Sequence, residues 1–279
     1  MQLIMNKNFD QERALYGVGS VHLINCSFDG EADGESALKE SNNIRAEKCS
    51  FNLRYPFWHD DGVEILESNM TPLCRAALWY SKGINIKNSV MHGIKALREC
   101  SDIVIENSDI NSAEFGWFSK NIKLLNSDVC GEYCMLKSEN LKFNDVKFSG
   151  KYSFQYIKNA IFENCVFETK DAFWHAKDVY VKNCVVKGEY LAWYSENVTF
   201  ENCVIYGTQP LCYCKKLKLI NCEMYDADLA FELSDVEATL NTSVISIKNP
   251  LSGKISLPCE CEIIKDNSLC ECEIYFDEN

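Results

Sequence analysis

Two Phe-Trp-His triplets, Phe57-Trp58-His59 and Phe173-Trp174-His175, look most like fragments of an active site. A histidine near carboxylates supplies general acid–base chemistry, and Asp171 and Asp178 lie close to His175 in sequence. Arg98, Glu99, Glu114 and Lys137 add a fixed cation, two carboxylates and an ammonium. With Asp171 and His175 they are the six candidates for the catalytic residues of a polysaccharide lyase or glycoside hydrolase. Hydrolysis needs two carboxyl groups about 5 to 9.5 Å apart. Calcium-assisted elimination needs clustered acids around the cation, with an arginine or lysine base. The elements that carry these residues decide whether either arrangement can form.

The chain has 279 residues and a net charge of −13. Such a balance repels phosphate backbones and anionic lipid, so neither nucleic acid nor membrane is an expected partner. No apolar run approaches a membrane span, and the first residues, MQLIMNKNFDQERALYG, lack the pattern of a secretory signal. The 16 cysteines are therefore expected to stay reduced, in the cytoplasm, as small buried side chains.

A repeat organises the chain. The pattern apolar-x-apolar-x-Asn-Cys/Ser-x-apolar occurs as VHLINCSF, INIKNSVM, IVIENSDI, VYVKNCVV and LKLINCEM. Its Asn position, column 0, falls at Asn88, Asn107, Asn126, Asp145, Asn164, Asn183, Asn202 and Asn221, always 19 residues apart. Asn25, Lys48 and Glu67 precede them, at steps of 23, 19 and 21. Alternation rather than a helical period marks a half-buried strand, and successive strands one coil apart run parallel. The expected fold is all-β, a single-stranded right-handed parallel β-helix of about 12 coils. It is read as one domain over residues 1–279, with a cap or partial coil at 1–20, regular coils at 21–250 and closing strands at 251–279. Asn at column 0 suits a left-handed bend and can bond to the next coil. Cys or Ser at column +1 points inward, and Gly at column +5 (Gly30, Gly93, Gly131, Gly150, Gly188, Gly207) marks a corner. Asp178 belongs to an Asn/Asp row ahead of the strand, which makes it a turn residue.

All five tryptophans fall in column +10, at Trp58, Trp79, Trp117, Trp174 and Trp193, with Arg98, Leu136 and Gln155 between and Cys212 and Phe231 after. Columns +7 to +12 are expected to form a second long strand. If +8, +10 and +12 face inward, the tryptophans are a core ladder. If +9 faces inward, the alternation buries seven charged residues of columns +7 and +11. The first phase is favoured, because buried charges are costly. It leaves an apolar +9 stripe outside, where another protein or a second copy of the chain could dock. It also makes column +11 a tyrosine-rich outer face: His59, Tyr80, Glu99, Phe118, Lys137, Tyr156, His175, Tyr194 and Tyr213. These, with Tyr190, are the candidate ligand-binding residues.

The spacing argues against catalysis. Neither +7 nor +11 has carboxylates in adjacent coils, Glu99 and Glu114 come out about 14 Å apart, and Asp171 and His175 about 13 Å. Asp29, Glu31, Asp33, Gly34 and Glu40 nearly fit a calcium loop, but a solvated acidic loop fits better. Cys259, Cys261, Cys270 and Cys272 form two C-x-C pairs that could hold zinc or copper; strict alternation in closing strands explains them as well. No metal or cofactor is expected.

With its coil, Asn row and aromatic segments LRYPFWHD, CRAALWYS, FGWFS, KDAFWHAK, EYLAWYS and GTQPLCYC, the chain resembles the pectate-lyase-like right-handed β-helix superfamily. More closely it resembles a bacterial family of small-coil, signal-less β-helices. The resemblance implies the fold and brings no catalytic residues. The expected function is a binding or scaffold module whose aromatic face meets an elongated saccharide or a partner protein. The alternative is a carbohydrate-active enzyme on that face.

Overall fold

The computed structural model describes residues 1–29, 35–267 and 269–276. The described residues form an all-β parallel solenoid of about 14 turns of roughly 19 residues, without a helix. By contacts the chain divides into two compact units, Met1–Asn140 and Leu141–Asn279.

In the first unit each coil has a long strand and a short one, such as Lys82–Lys87 with Val90–His92 and Ser101–Glu106 with Asp109–Asn111. Long strands pair in parallel one coil apart, so Ile84 meets Ile103 and Ile86 meets Ile105. The two apolar columns of each long strand are buried: Val63, Ile65, Ile84, Ile86, Ile103 and Ile105. The side-chain period of two makes this register specific, since a one-residue slip would put these side chains in water. Phe9, Phe28 and Phe51 stack in the short-strand column at 4.8 and 5.0 Å. The second unit repeats the plan with Lys158–Glu163, Lys177–Lys182 and Glu196–Glu201. Its core is a phenylalanine cluster in which Phe154 stacks on Phe173 at 5.2 Å and Phe162 meets Phe173 at 5.3 Å.

Column 0 is left-handed throughout, including Lys48 and Glu67, which have no amide to favour it. Where asparagines follow one another their amides bond from coil to coil. Asn107 donates to Asn88 at 3.3 Å, and Asn202 to Asn183 at 3.3 Å. A second such row precedes the long strand. Asn140 donates to Asn121 at 2.8 Å and Asn197 to Asp178 at 2.6 Å, so Asp178 is a turn residue. Column +1 is buried, and its serines form a third row: the N–H of Ser68 donates to Ser89 Oγ at 3.1 Å and that of Ser89 to Ser108 Oγ at 3.2 Å. Cysteine replaces serine in the second unit, where Cys165 N–H donates to Cys184 Sγ at 3.2 Å. The thiols of Cys184 and Cys203 are pushed up to about 12, first by the thiol of the preceding coil and then by burial. They stay protonated at neutral pH. All 16 cysteines are free.

Columns +7 to +12 are not a strand, which corrects the expectation above. Positions +7, +9 and +11 are left-handed in nearly every coil, as at Lys95, Leu97 and Glu99 or Asp171, Phe173 and His175. Each of these N–H groups still bonds to an adjacent coil: Lys95 to Ala113, Leu97 to Ala77 and Glu99 to Trp117. The backbone therefore curves, and strict in–out alternation fails. Column +9 is fully buried, at Leu78, Leu97, Met135, Phe154, Phe173 and Leu211. Columns +8 and +12 are buried too, the tryptophans of +10 are half-buried and +11 is mostly exposed. The inward Trp core is thus overturned. The charge argument misled because it assumed that burying +9 must bury +7 and +11; on an arc both flanks splay outward. The apolar +9 stripe is core and offers nothing to a docking protein or a second copy.

Candidate functional site

In each unit the sequence-derived candidates lie on the exposed arc of its coils, and the architecture of that arc explains most of them. Four of the five tryptophans at +10 donate their indole N–H to the +7 carbonyl of the next coil. Trp174 reaches the carbonyl of Tyr190 at 2.7 Å and Trp193 that of Gln209 at 2.7 Å. Trp79 and Trp117 do the same to Lys95 and Tyr133. Gln155, the odd residue in the column, makes the same bond through its amide to the Asp171 carbonyl at 3.1 Å. Leu136 and Phe231, in the same column, have no donor to offer. We expect Gln155→Leu, which leaves that carbonyl unpaired, to cost about 1–2 kcal/mol. Gln155→Trp, which restores a donor and continues the tryptophan row, should cost nothing. Urea midpoints of the two variants check this.

In the second unit the +11 rings form a continuous stack. Tyr156 lies on His175 at 4.8 Å, His175 on Tyr194 at 5.1 Å and Tyr194 on Tyr213 at 4.8 Å, with interplanar angles of 10–11°. Tyr213 donates its hydroxyl to Glu232 at 3.2 Å, and its own pKa is pushed up to about 12, first by burial and then by that carboxylate. Trp174 and Trp193 stack behind this row at 5.4 Å, and Tyr190 meets the edge of Trp193 at 5.3 Å. The interior ring faces are covered by one another, leaving edges and hydroxyls outward. In the first unit His59 and Tyr80 meet edge to face at 5.0 Å, and Glu40 pairs with His59 at 3.3 Å.

The catalytic candidates do not assemble. Glu114 pairs with Lys95 at 3.5 Å, and Glu99 lies 3.6 Å from Arg98. Lys137 sits over the Phe118 ring at 5.9 Å. Asp171 is buried, which raises its pKa, with the Lys170 ammonium pulling the other way. His175 is held between two tyrosine rings, with no carboxylate partner. Among the described residues no three His, Cys, Asp or Glu side chains are placed to share a metal ion. Of the calcium-like loop, Glu31, Asp33 and Gly34, like the corner glycine Gly30, lie outside the described residues. Cys259 is exposed, Cys261 and Cys270 are half-buried and only Cys272 is buried. The C-x-C pairs are thus not two rows of inward cysteines; the closing strands Glu262–Ile264 and Glu273–Phe276 begin just beyond them.

One residue escaped the sequence reading. Asp60 is buried in column +12, where the other coils place Ser81, Cys100, Ser119 or Ser138. Its carboxylate accepts the N–H of Ser41 at 2.8 Å and that of Trp58 at 3.1 Å. The signal was available as the one carboxylate in an otherwise uncharged column.

These features define a class, a parallel β-solenoid whose coils present one aromatic arc. The chain belongs to the family described as "Protein of unknown function (DUF3737)", whose model matches residues 2–275. Neither the curated proteins nor the solved structures give a match. No helix of the described residues is long and apolar enough to cross a membrane.

Proposed function

We propose that the protein is a non-catalytic recognition module and that its aromatic arc binds a partner protein. One observation carries this reading: Tyr156, His175, Tyr194 and Tyr213 stack into one row, of which Tyr156, His175 and Tyr194 are exposed. Rigid tyrosines with an apolar body and a polar tip are what protein interfaces concentrate at their anchors. A saccharide would stack on ring faces, and here the interior faces are covered. The dispersed, individually paired carboxylates weigh against a hydrolase or lyase. The free cysteines support a reducing cytoplasmic setting. Kinship with pectate-lyase-like helices rests on the coil pattern alone, and a fold does not fix an activity.

A photo-crosslinking residue placed at 175 tests the reading in cells of the source organism, with position 123 as control. The expected result is a discrete protein adduct at 175, absent at 123 and lost in Tyr194→Ala. No position-specific adduct overturns the proposal and leaves the row purely architectural. A thermal shift with an oligosaccharide, abolished by Tyr194→Ala, would replace the protein partner with a glycan.

A further inference from the structure

We infer that Arg98 is a receptor for a carboxylate group. Its column explains why it stands out. Trp79, Trp117, Trp174, Trp193 and Gln155 each donate to a carbonyl of the next coil. Arg98 carries five N–H donors, and none is hydrogen-bonded to an acceptor among the described residues. Its Nε is buried without a partner, and the nearest carboxylate oxygen, on Glu99, is 3.6 Å away. Yet the side chain is firmly held: its guanidinium lies 5.2 Å from the Trp79 ring, 5.6 Å from Trp117 and 5.6 Å from Phe118. Aromatic walls fix a guanidinium while leaving its edge open.

That edge has the geometry of a carboxylate fork. Glu99 lies on the Nε side, so the two terminal nitrogens remain the outward donors. The surrounding charge favours an anion. Lys95 and Glu114 neutralise each other at 3.5 Å, Glu99 offsets Arg98 at 3.6 Å, and Lys137 over Phe118 adds positive charge. The exposed rings of Tyr80 and Phe118 lie in the coils on either side. Replacing the column's neutral donor by arginine leaves the Glu114 carbonyl without its usual side-chain donor and Nε without an acceptor. Leu136 and Phe231 of the same column also leave that carbonyl without a side-chain donor, so what sets Arg98 apart is a buried donor with no acceptor. The inference rests on the arc being a recognition surface for the ligand's source, an aspartate or glutamate side chain of the partner.

The test is an NMR titration of the full chain with sodium acetate, with sodium chloride as the ionic-strength control. Saturable shifts are expected at the Arg98 Nε–H and at the indole N–H of Trp79 and Trp117, with half-saturation at about millimolar acetate. They should vanish in Arg98→Gln, a residue this column accommodates at Gln155. No shift beyond that caused by chloride, or the same shifts in Arg98→Gln, overturns the proposal. A saturable response to phosphate but not to acetate overturns the carboxylate assignment. Acetate needs no partner, so failure here is distinct from failure of the crosslinking experiment.

Discussion

Gly188→Ala is expected to destabilise the second unit by about 3–5 kcal/mol, among the largest losses available to a single methyl group. A Cβ on Gly188 would lie 2.0 Å from the carbonyl oxygen of Thr169 and 2.6 Å from its carbon. Both atoms are backbone and cannot rotate away. They are also held in register, because Val166 and Phe167 pair with Val185 and Val186 and the Gly188 N–H donates to Tyr206 at 2.8 Å. Relief would need the coils to separate at that corner. Gly17 supplies the contrast. It is left-handed at φ 66°, but an added Cβ would meet nothing within 4 Å. Gly17→Ala should therefore cost only the left-handed penalty, about 1–2 kcal/mol. Urea unfolding followed by tryptophan fluorescence measures both, since Trp174 and Trp193 lie in the arcs beside the Gly188 corner. Equal losses at the two sites would sink the argument that backbone approach, rather than φ, selects glycine at column +5.

The same corner shows why part of the fold was legible. A repeat writes each structural requirement once per coil, so Asn at a left-handed bend, a small residue just after it and Gly at a close approach become columns. The expected count of about 12 coils is close to the roughly 14 turns of the structure, and the first coil lacks part of the signature. Asn6 is the left-handed column 0 of the first coil, and Asn25 donates to it at 2.7 Å, but no Cys or Ser follows it. The arc was illegible for a different reason. Its left-handed positions are filled by Lys, Leu, Phe, Tyr and Met, which individually disfavour that region, and the stacked hydrogen bonds of neighbouring coils hold them there. No residue type announces such a bend. The tryptophan column was visible as a column, but its direction depended on curvature. Arg98 was noticed as an exception; its aromatic walls were not, because they come from the coils on either side.

Asp60 gives the second large effect, and its sign is unusual for a carboxylate. Asp60 is 2% exposed, and burial raises its pKa from 3.8 to about 8 despite two backbone N–H donors that favour the ion. The nearby Glu40 carboxylate raises it further. In the unfolded chain the group ionises near pH 4; in the folded chain it holds its proton until about pH 8. Between those values the folded state binds the extra proton. Stability therefore falls as pH rises across this window, by up to about 1.4 kcal/mol per pH unit from this group, and levels off above pH 8. Its column neighbours need no charge: Ser81 Oγ accepts the Asp60 N–H at 3.0 Å, and a serine at 60 could accept from Ser41 in the same way. Asp60→Ser should thus stabilise the protein by roughly 2–4 kcal/mol at pH 8 and hardly at all at pH 4. Asp60→Asn, which keeps the shape and one acceptor, should flatten the dependence of Tm on pH over the same window. Thermal melts of the three proteins from pH 4 to 9 decide the matter. An unchanged slope in Asp60→Asn would mean that the carboxylate is ionised in the fold, stabilised by the Ser41 and Trp58 N–H groups more strongly than burial opposes it.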